Sequence, residues 1–463
     1  DQTYKATNNR KNKYEIDMCN GSLMDKLISF SLPLMLSGIL QLAFNAVDII
    51  VVGRFTGSSA LAAVGSTTAL INVFTNLFIG ISLGANVLAA RFFAAGREKE
   101  MSETVHTAIA MALVSGIVMA FVGVFFARDA LMLMDTPADV IGQSALYMRI
   151  YFVGMPFFML YNYGAAILRA VGDTKRPLLF LVISGTVNAL LNLFLVIVFD
   201  MGVAGVAIAT VISQLISCVL VLRCLCLTQS CYQLRFSELS IKKEYVKQIL
   251  QVGLPAGIQS TVINFSNVLL QSSVNSFGSI AMAGYTAANN IFGFLYVSVN
   301  SVTQACMSFT SQNLGAGKKK RMDRVLWECM LISVVSSLTL GICAYIFGPE
   351  ILKIYTTDDA VIACGMEILL YTTVTYFLCG IMDLFPGALR GMGHSAVPMI
   401  LSVIGTVGTR IVWIYGIFPQ HRSLKILFIS YPASWIITII MQVTCFWFVR
   451  RKVHRQLLGE NAE

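Results

Sequence analysis

One carboxylate stands alone in the first apolar run of this chain, "LQLAFNAVDIIVVGR" at Leu40–Arg54, and it is Asp48. An ionised acid at the centre of a bilayer costs about 3 kcal/mol or more, so its position asks for a partner. Depth along the run supplies candidates. Asp48 lies fifteen residues beyond Pro33, hence roughly 22 Å along a hydrocarbon core of ~30 Å at about 1.5 Å per residue. Asn192 lies fifteen residues beyond Pro177 in a later run, at the same height, and Asn188 is one turn before it on the same face. Thr210 falls seven residues into a run that descends from the other side, roughly 10 Å down. One carboxylate, two amide oxygens and a hydroxyl in one layer suit a hard cation. If the ion is Na+, then Asp48, Asn188, Asn192 and Thr210 are its metal ligands. Without a cation, the desolvated acid is expected to take a proton. Interhelical packing by hydrogen bonds is the plainer reading, but a carboxylate and three oxygens at matched depth favour the cation.

A second deep acid is Asp383 in "LCGIMDLFPGALR", and Arg410 in the next run lies at a comparable depth. The two are expected to form an ion pair or to line a substrate cleft, with Asn162 as the counterpart of Asp383 in the first half. Gln41, Phe44, Met155, Met159, Asn264, Gln271 and Asn289 are candidate cleft residues, since methionines and aromatics make adaptable walls for varied ligands. No enzyme constellation stands beside these. His106, His394, His421 and His454 are isolated, and no G-x-x-x-x-G-K-[ST] loop is present, which argues against direct use of ATP. No organic cofactor is called for. The eleven cysteines are scattered, mostly within apolar runs, and read as small buried hydrophobes.

The elements that carry these residues follow from composition. The chain has 463 residues, 56% hydrophobic and 12% charged, against about 25% charged in a soluble protein. Apolar runs long enough to cross a bilayer recur throughout, and spans are expected at 28–52, 61–90, 105–127, 142–167, 177–199, 203–226, 248–275, 283–310, 326–348, 365–388, 398–418 and 426–449. This is an all-α integral membrane protein with twelve transmembrane helices. Lys and Arg concentrate in alternate loops and at the chain ends: Lys5, Arg10, Lys11, Lys13 and Lys26, then Arg91, Arg97 and Lys99, and later Lys318, Lys319, Lys320, Arg390 and Arg450. The excess of basic charge marks the cytoplasmic side, so both termini are expected there. The net charge of +9 reads as topology, not as a footprint for nucleic acid. The first twenty-odd residues lack an apolar core and read as a cytoplasmic tail instead of a signal peptide.

The two halves also repeat. "SLP" at Ser31 answers "GLP" at Gly253, and "ILRAVGDTKRP" at Ile167 answers "ALRGMGHSAVP" at Ala388, at offsets of 222 and 221. Six helices per copy keep the same orientation, so the copies are parallel repeats related by an axis along the membrane normal. The expected division is a tail at 1–27, a bundle at 28–226, a cytoplasmic linker at 227–247, a second bundle at 248–449 and a tail at 450–463.

The stretches "LPLMLSGILQLAFNAVDIIVVGR", "LRAVGDTKRP" and "VNALLNLFLVI" resemble bacterial members of the multidrug and toxic compound extrusion (MATE) family, over about Leu27 to Arg450. The resemblance implies two six-helix bundles forming a V with a central cleft. It also implies alternating access, and export of amphipathic, often cationic drugs or metabolites by antiport with Na+ or H+ across the bacterial plasma (inner) membrane. Family members carry an Asp in the first helix and an Asn-x-x-x-Asn or Asn-x-x-x-Asp pair in the fifth, which supports the Asp48 reading. Asn192 stands where some members have an acid, so the ion stays open between Na+ and H+. An acid that some members carry in the seventh helix is missing here, which argues against a second cation site. The expected partners are a small-molecule substrate and the lipid bilayer, with the protein a monomer. The alternative within the same superfamily is a flippase of lipids or lipid-linked oligosaccharides. A lipid-processing membrane enzyme would need clustered acids or histidines at one face, which the sequence lacks.

Overall fold

The computed structural model describes residues 12–459. Lys5, Arg10 and Lys11 of the expected tail, and the last four residues, lie outside the described residues. The described residues form helices joined by turns, without a strand.

In chain order the helices are α1 (Leu23–Phe55), α2 (Ser58–Ala94), α3 (Glu98–Leu133), α4 (Ile141–Val153), α5 (Met155–Ala170), α6 (Lys175–Leu193) and α7 (Val203–Leu227). The second half continues with α8 (Lys243–Asn275), α9 (Ser279–Gly315), α10 (Lys319–Ile346), α11 (Gly348–Tyr355), α12 (Asp359–Thr372), α13 (Tyr376–Gly391), α14 (Ala396–Ser402), α15 (Thr409–Val412) and α16 (Leu424–Gly459). Among the described residues, eight helical stretches are long and apolar enough to cross a membrane. The bent pairs α4–α5 and α12–α13 make two more, with bends of 47° and 46°. The remaining two of the twelve, α8 and α9, are 33 and 37 residues long and richer in Ser, Asn and Gln.

The bends fall at the fourth and tenth spans and have local causes. Pro156 opens α5, and its missing N–H removes a rung from a continuous helix. At the other bend, Thr372, Thr373 and Thr375 each turn a hydroxyl back to a carbonyl four residues earlier, at 2.7, 2.7 and 2.8 Å, a bond that bends helices. Gly116 on α3 lets that helix press on the first bend, since a Cβ there would stand 2.5 Å from Pro156 Cα.

Packing gathers the chain into two units. One comprises Leu36–Ile249 with the described residues up to Gly21; the other comprises Ser22–Met35 with the described residues from Leu250 onward. Inside the first, α5 packs on α2, α3 and α7, and α6 packs on α7. Inside the second, α13 packs on α9, α10 and α16 in the same pattern, as a repeat demands. The division departs from the one drawn on composition because the start of α1 belongs by packing to the second unit, where buried Phe30 meets Phe309 edge-on at 5.5 Å.

The expected linker is not loose. Tyr232 is buried and donates to Glu15 Oε1 at 2.6 Å. Burial pushes the Glu15 carboxyl above its ordinary range, against the lowering effect of that bond. Tyr245 donates to Glu103 Oε2 at 2.7 Å, and the Arg235 N–H donates to His106 Nε2 at 3.0 Å. The segment from 450 is likewise helical through Gly459, and Arg450 grips both oxygens of Asp323 at 2.7 and 2.6 Å.

Candidate cation site

Asp48 sits on α1 among apolar neighbours in sequence, and a close helix contact one turn below brings α6 to it. Gly185 of α6 makes that contact possible: a Cβ there would lie 1.9 Å from Cε2 of Phe44, so the Phe44 ring rests against helix backbone. With the helices this close, the amides of Asn188 and Asn192 reach the carboxylate. Asn188 Nδ2 donates to Asp48 Oδ1 at 3.4 Å, and Asn192 Nδ2 donates to the same oxygen. Asp48 is half-buried, Asn188 is 7% exposed and Asn192 is wholly buried.

The two amides spend their donors on the acid, and their oxygens are left over. Asn188 Oδ1 and Asn192 Oδ1 are buried and accept no hydrogen bond from any described residue. A buried acceptor without a donor is costly, and an oxygen is what a hard cation needs. The residues therefore offer one negative charge and several free oxygen lone pairs within one layer. Among the described residues no group of three or more His, Cys, Asp or Glu could hold a metal.

Thr210 is not part of this hydrogen-bonded group: its hydroxyl donates to Val206 C=O of its own helix at 3.1 Å. Sequence depth puts it in the layer but cannot tell which way it turns. Tyr147 and Tyr151 of α4 were missed by the sequence reading, although the charge of Asp48 acts on both hydroxyls. Their spacing of four residues at the start of the fourth span was the available signal.

The expected ion pair between Asp383 and Arg410 is absent. Arg410 Nη1 instead donates to Ser266 Oγ and Asn267 Oδ1 of α8, both at 2.9 Å, and its guanidinium lies over the Tyr431 ring at 4.5 Å. The charge that acts on Asp383 is that of Arg390, seven residues on along α13. Charge bias along the sequence points Arg390 to a cytoplasmic loop; it instead lies in α13, buried, and donates to Gln259 Oε1 at 2.6 Å. Axial spacing allowed the Asp383–Arg410 pair, and packing around the helices disallowed it.

The cleft candidates divide. Met155 and Met159 are fully buried, so they are core. Phe44 is taken up by Gly185, Asn162 donates to Phe158 C=O of its own helix at 2.8 Å, and Gln271 donates to Asn275 Oδ1 at 2.9 Å. Gln41, Asn264 and Asn289 are exposed.

Comparison with known proteins agrees with the architecture. Over 434 residues the chain is 29% identical to "Probable multidrug resistance protein YoeA" of Bacillus subtilis, covering 91% of this chain and 93% of the relative. It is 25% identical to "Probable multidrug resistance protein NorM" of Thermotoga maritima, over 89% of this chain and 88% of that protein. A solved "Outward-facing conformation of a multidrug resistance MATE family transporter of the MOP superfamily" superposes with a TM-score of 0.87 over 97% of this chain and all of that one. At 19% identity this likeness speaks for the fold. The MatE family model matches twice, at residues 33–194 and 255–415, once in each copy of the repeat found in the sequence. With both halves matched in the same register, and with the twelve-helix architecture they build, the chain belongs to the MatE family.

Proposed function

We propose that this protein is a secondary active exporter of amphipathic, often cationic drugs or metabolites, driven by inward movement of Na+ or H+ and working by alternating access. It acts in a bacterial inner membrane with both chain ends cytoplasmic, as a monomer. The observation that carries the reading is the Asp48 cluster: a lone acid in the first span, held by two asparagine amides whose oxygens have no donor. Such a group is neutralised either by a small bound cation or by a proton, and loss of that ion leaves its carboxylate charged. It can therefore bias the first unit between two arrangements by differential affinity, which is what coupling requires. The names of the relatives, probable multidrug resistance proteins in bacteria, support the substrate class. The biased distribution of Lys and Arg supports the orientation.

The test is efflux of a fluorescent cationic dye from vesicles holding the purified protein, under separate Na+ and H+ gradients. At least one gradient should drive export by the native protein, and neither should drive it in Asp48→Asn. Near-native, gradient-driven export by that variant overturns the coupling role. Dye release from the opposite leaflet with no gradient at all, together with movement of a labelled lipid, points instead to the flippase reading. For orientation, a cysteine at position 320 in a cysteine-free background should resist an impermeant thiol reagent in intact cells.

A further inference from the structure

The turn between α2 and α3 and the turn between α9 and α10 are repeat-mates at the offset of 221. In the proposed orientation both face the cytoplasm, so topology asks the same charge of each. Their charges differ. Residues 97–103 carry two basic and three acidic side chains, whereas residues 318–324 carry five basic and one acidic. Orientation alone does not call for this excess on one copy.

The end of α16 adds to it. Arg450 holds Asp323, and Lys319 Nζ donates to the His454 C=O at 3.2 Å, so the last turns of α16 meet the first turns of α10. Asp323 is taken by Arg450 and Glu328 by Arg324. Lys320, Arg451 and Arg455 are exposed, and among the described residues no acid pairs with them.

Helical spacing continues these charges into apolar surface. Lys320, Asp323, Trp327 and Leu331 follow one side of α10, and Arg455, Arg451, Trp447 and Val443 follow one side of α16. Asp323 touches Arg450, three residues from Trp447, so the two stripes descend beside the same clasp, with both indoles roughly 5 Å below it. Trp327 is 66% and Trp447 45% exposed, and Leu331 and Val443 are exposed as well. The Arg451 guanidinium lies over the Trp447 ring at 3.5 Å. Indoles beneath basic side chains are the arrangement of a headgroup region.

The first unit covers its corresponding face with its own chain. There the mate of Trp327 is His106, which is buried and accepts from the Arg235 N–H of the linker at 3.0 Å. No described segment plays that part over Trp327.

We propose that the joined ends of α10 and α16 hold an anionic phospholipid, its phosphodiester among Lys320, Arg451 and Arg455 and its acyl chains along the stripes below Trp327 and Trp447. Charge complementarity selects the headgroup, because a phosphodiester is the anion that a bilayer presents at this height. The site stands whether or not the chain exports anything, and takes from the proposed orientation only the name of the leaflet.

The test places the full chain in phosphatidylcholine bilayers doped with brominated phosphatidylglycerol or brominated phosphatidylcholine, and reads quenching of Trp fluorescence. In the native protein phosphatidylglycerol should quench half-maximally at roughly tenfold lower mole fraction. The triple variant Lys320→Gln, Arg451→Gln, Arg455→Gln should bring the two lipids within about twofold of each other. Removing the same charge elsewhere, as Lys99→Gln, Lys243→Gln, Lys247→Gln, should leave the preference intact. Equal quenching by the two lipids in the native protein overturns the proposal, even if a variant fails to fold. So does a preference that survives the first triple variant, or one lost equally in the second, which would make it a matter of net charge. Loss of the preference in millimolar inorganic phosphate, at constant ionic strength, would make a soluble oxyanion the occupant and overturn the lipid assignment.

Discussion

The same pair of helices, repeated once, meets in two chemically opposite ways. In the first unit α1 meets α6 through an acid: Asp48 takes both asparagine amides and leaves their oxygens over. In the second unit the counterpart of Asp48, at the offset of 222, is Leu270, which is 0% exposed and packs in one apolar cluster with Ile414. The polar contact between the counterpart helices lies lower and is basic, from Arg410 to Ser266 and Asn267. A π-helical stretch at Val403–Gly408 precedes Arg410, whose counterpart at the offset of 221 is Ala189, the residue after Asn188. On the proposed reading one copy presents a charge that a mobile cation completes, whereas the other carries a covalently fixed cation, Arg410. A duplicated fold can thus keep its packing pattern while the charge at the same helix contact changes sign.

The largest effect should come from forcing the first pattern onto the second unit. Leu270→Asp buries a carboxylate in an apolar cluster one turn from the contact of Arg410 with Ser266 and Asn267, at a cost of about 3 kcal/mol or more where the guanidinium does not reach it. A sharp fall in yield and melting temperature is expected. A stable variant that gains ion-dependent stabilisation would show that the second unit can host a cation after all.

Next in size, Asn192→Ala should weaken the dependence of efflux on the driving ion about tenfold, and Asn188→Ala less. Asn192 is the more deeply buried of the two, and removing it strips both a donor and a free oxygen from Asp48. Half-saturation by Na+ or H+ in vesicles measures this. A larger effect at Asn188 would reverse the assigned order.

A double-mutant cycle on melting temperature tests the basic contact. Arg410→Gln with Asn267→Ala should show a coupling energy of about 1 kcal/mol, because the two share a bond of 2.9 Å. Arg410→Gln with Asp383→Asn should be additive within about 0.5 kcal/mol. Strong coupling in the second cycle would restore the ion pair that the spacing of these residues suggested.

The smallest effect is expected at Thr210→Val, within about twofold in transport, since its hydroxyl serves a carbonyl of its own helix and that bond contributes little net stability. A loss comparable to that of Asn192→Ala would mean that Thr210 turns toward Asp48 during the cycle.

Sequence alone determined the helices, the repeat and the height of each polar residue. Apolar runs of membrane length can satisfy their backbone in lipid only as helices. Each residue of a helix rises by a constant step, so Asp48, Asn188 and Asn192 could be brought to one layer by counting from Pro33 and Pro177. Tertiary structure decided what each residue faces around the helix. An inserted residue turns everything after it by roughly 100°, and neither the π-helical stretch before Arg410 nor the bends at Pro156 and Thr373 is visible in a depth count. For that reason Arg410 bonds Ser266 and Asn267 in place of Asp383, Arg390 turns inward to Gln259, Met155 and Met159 are core, and Thr210 turns to its own backbone. Height is additive along one chain, whereas facing depends on how two helices pack, and that is settled only when both are present.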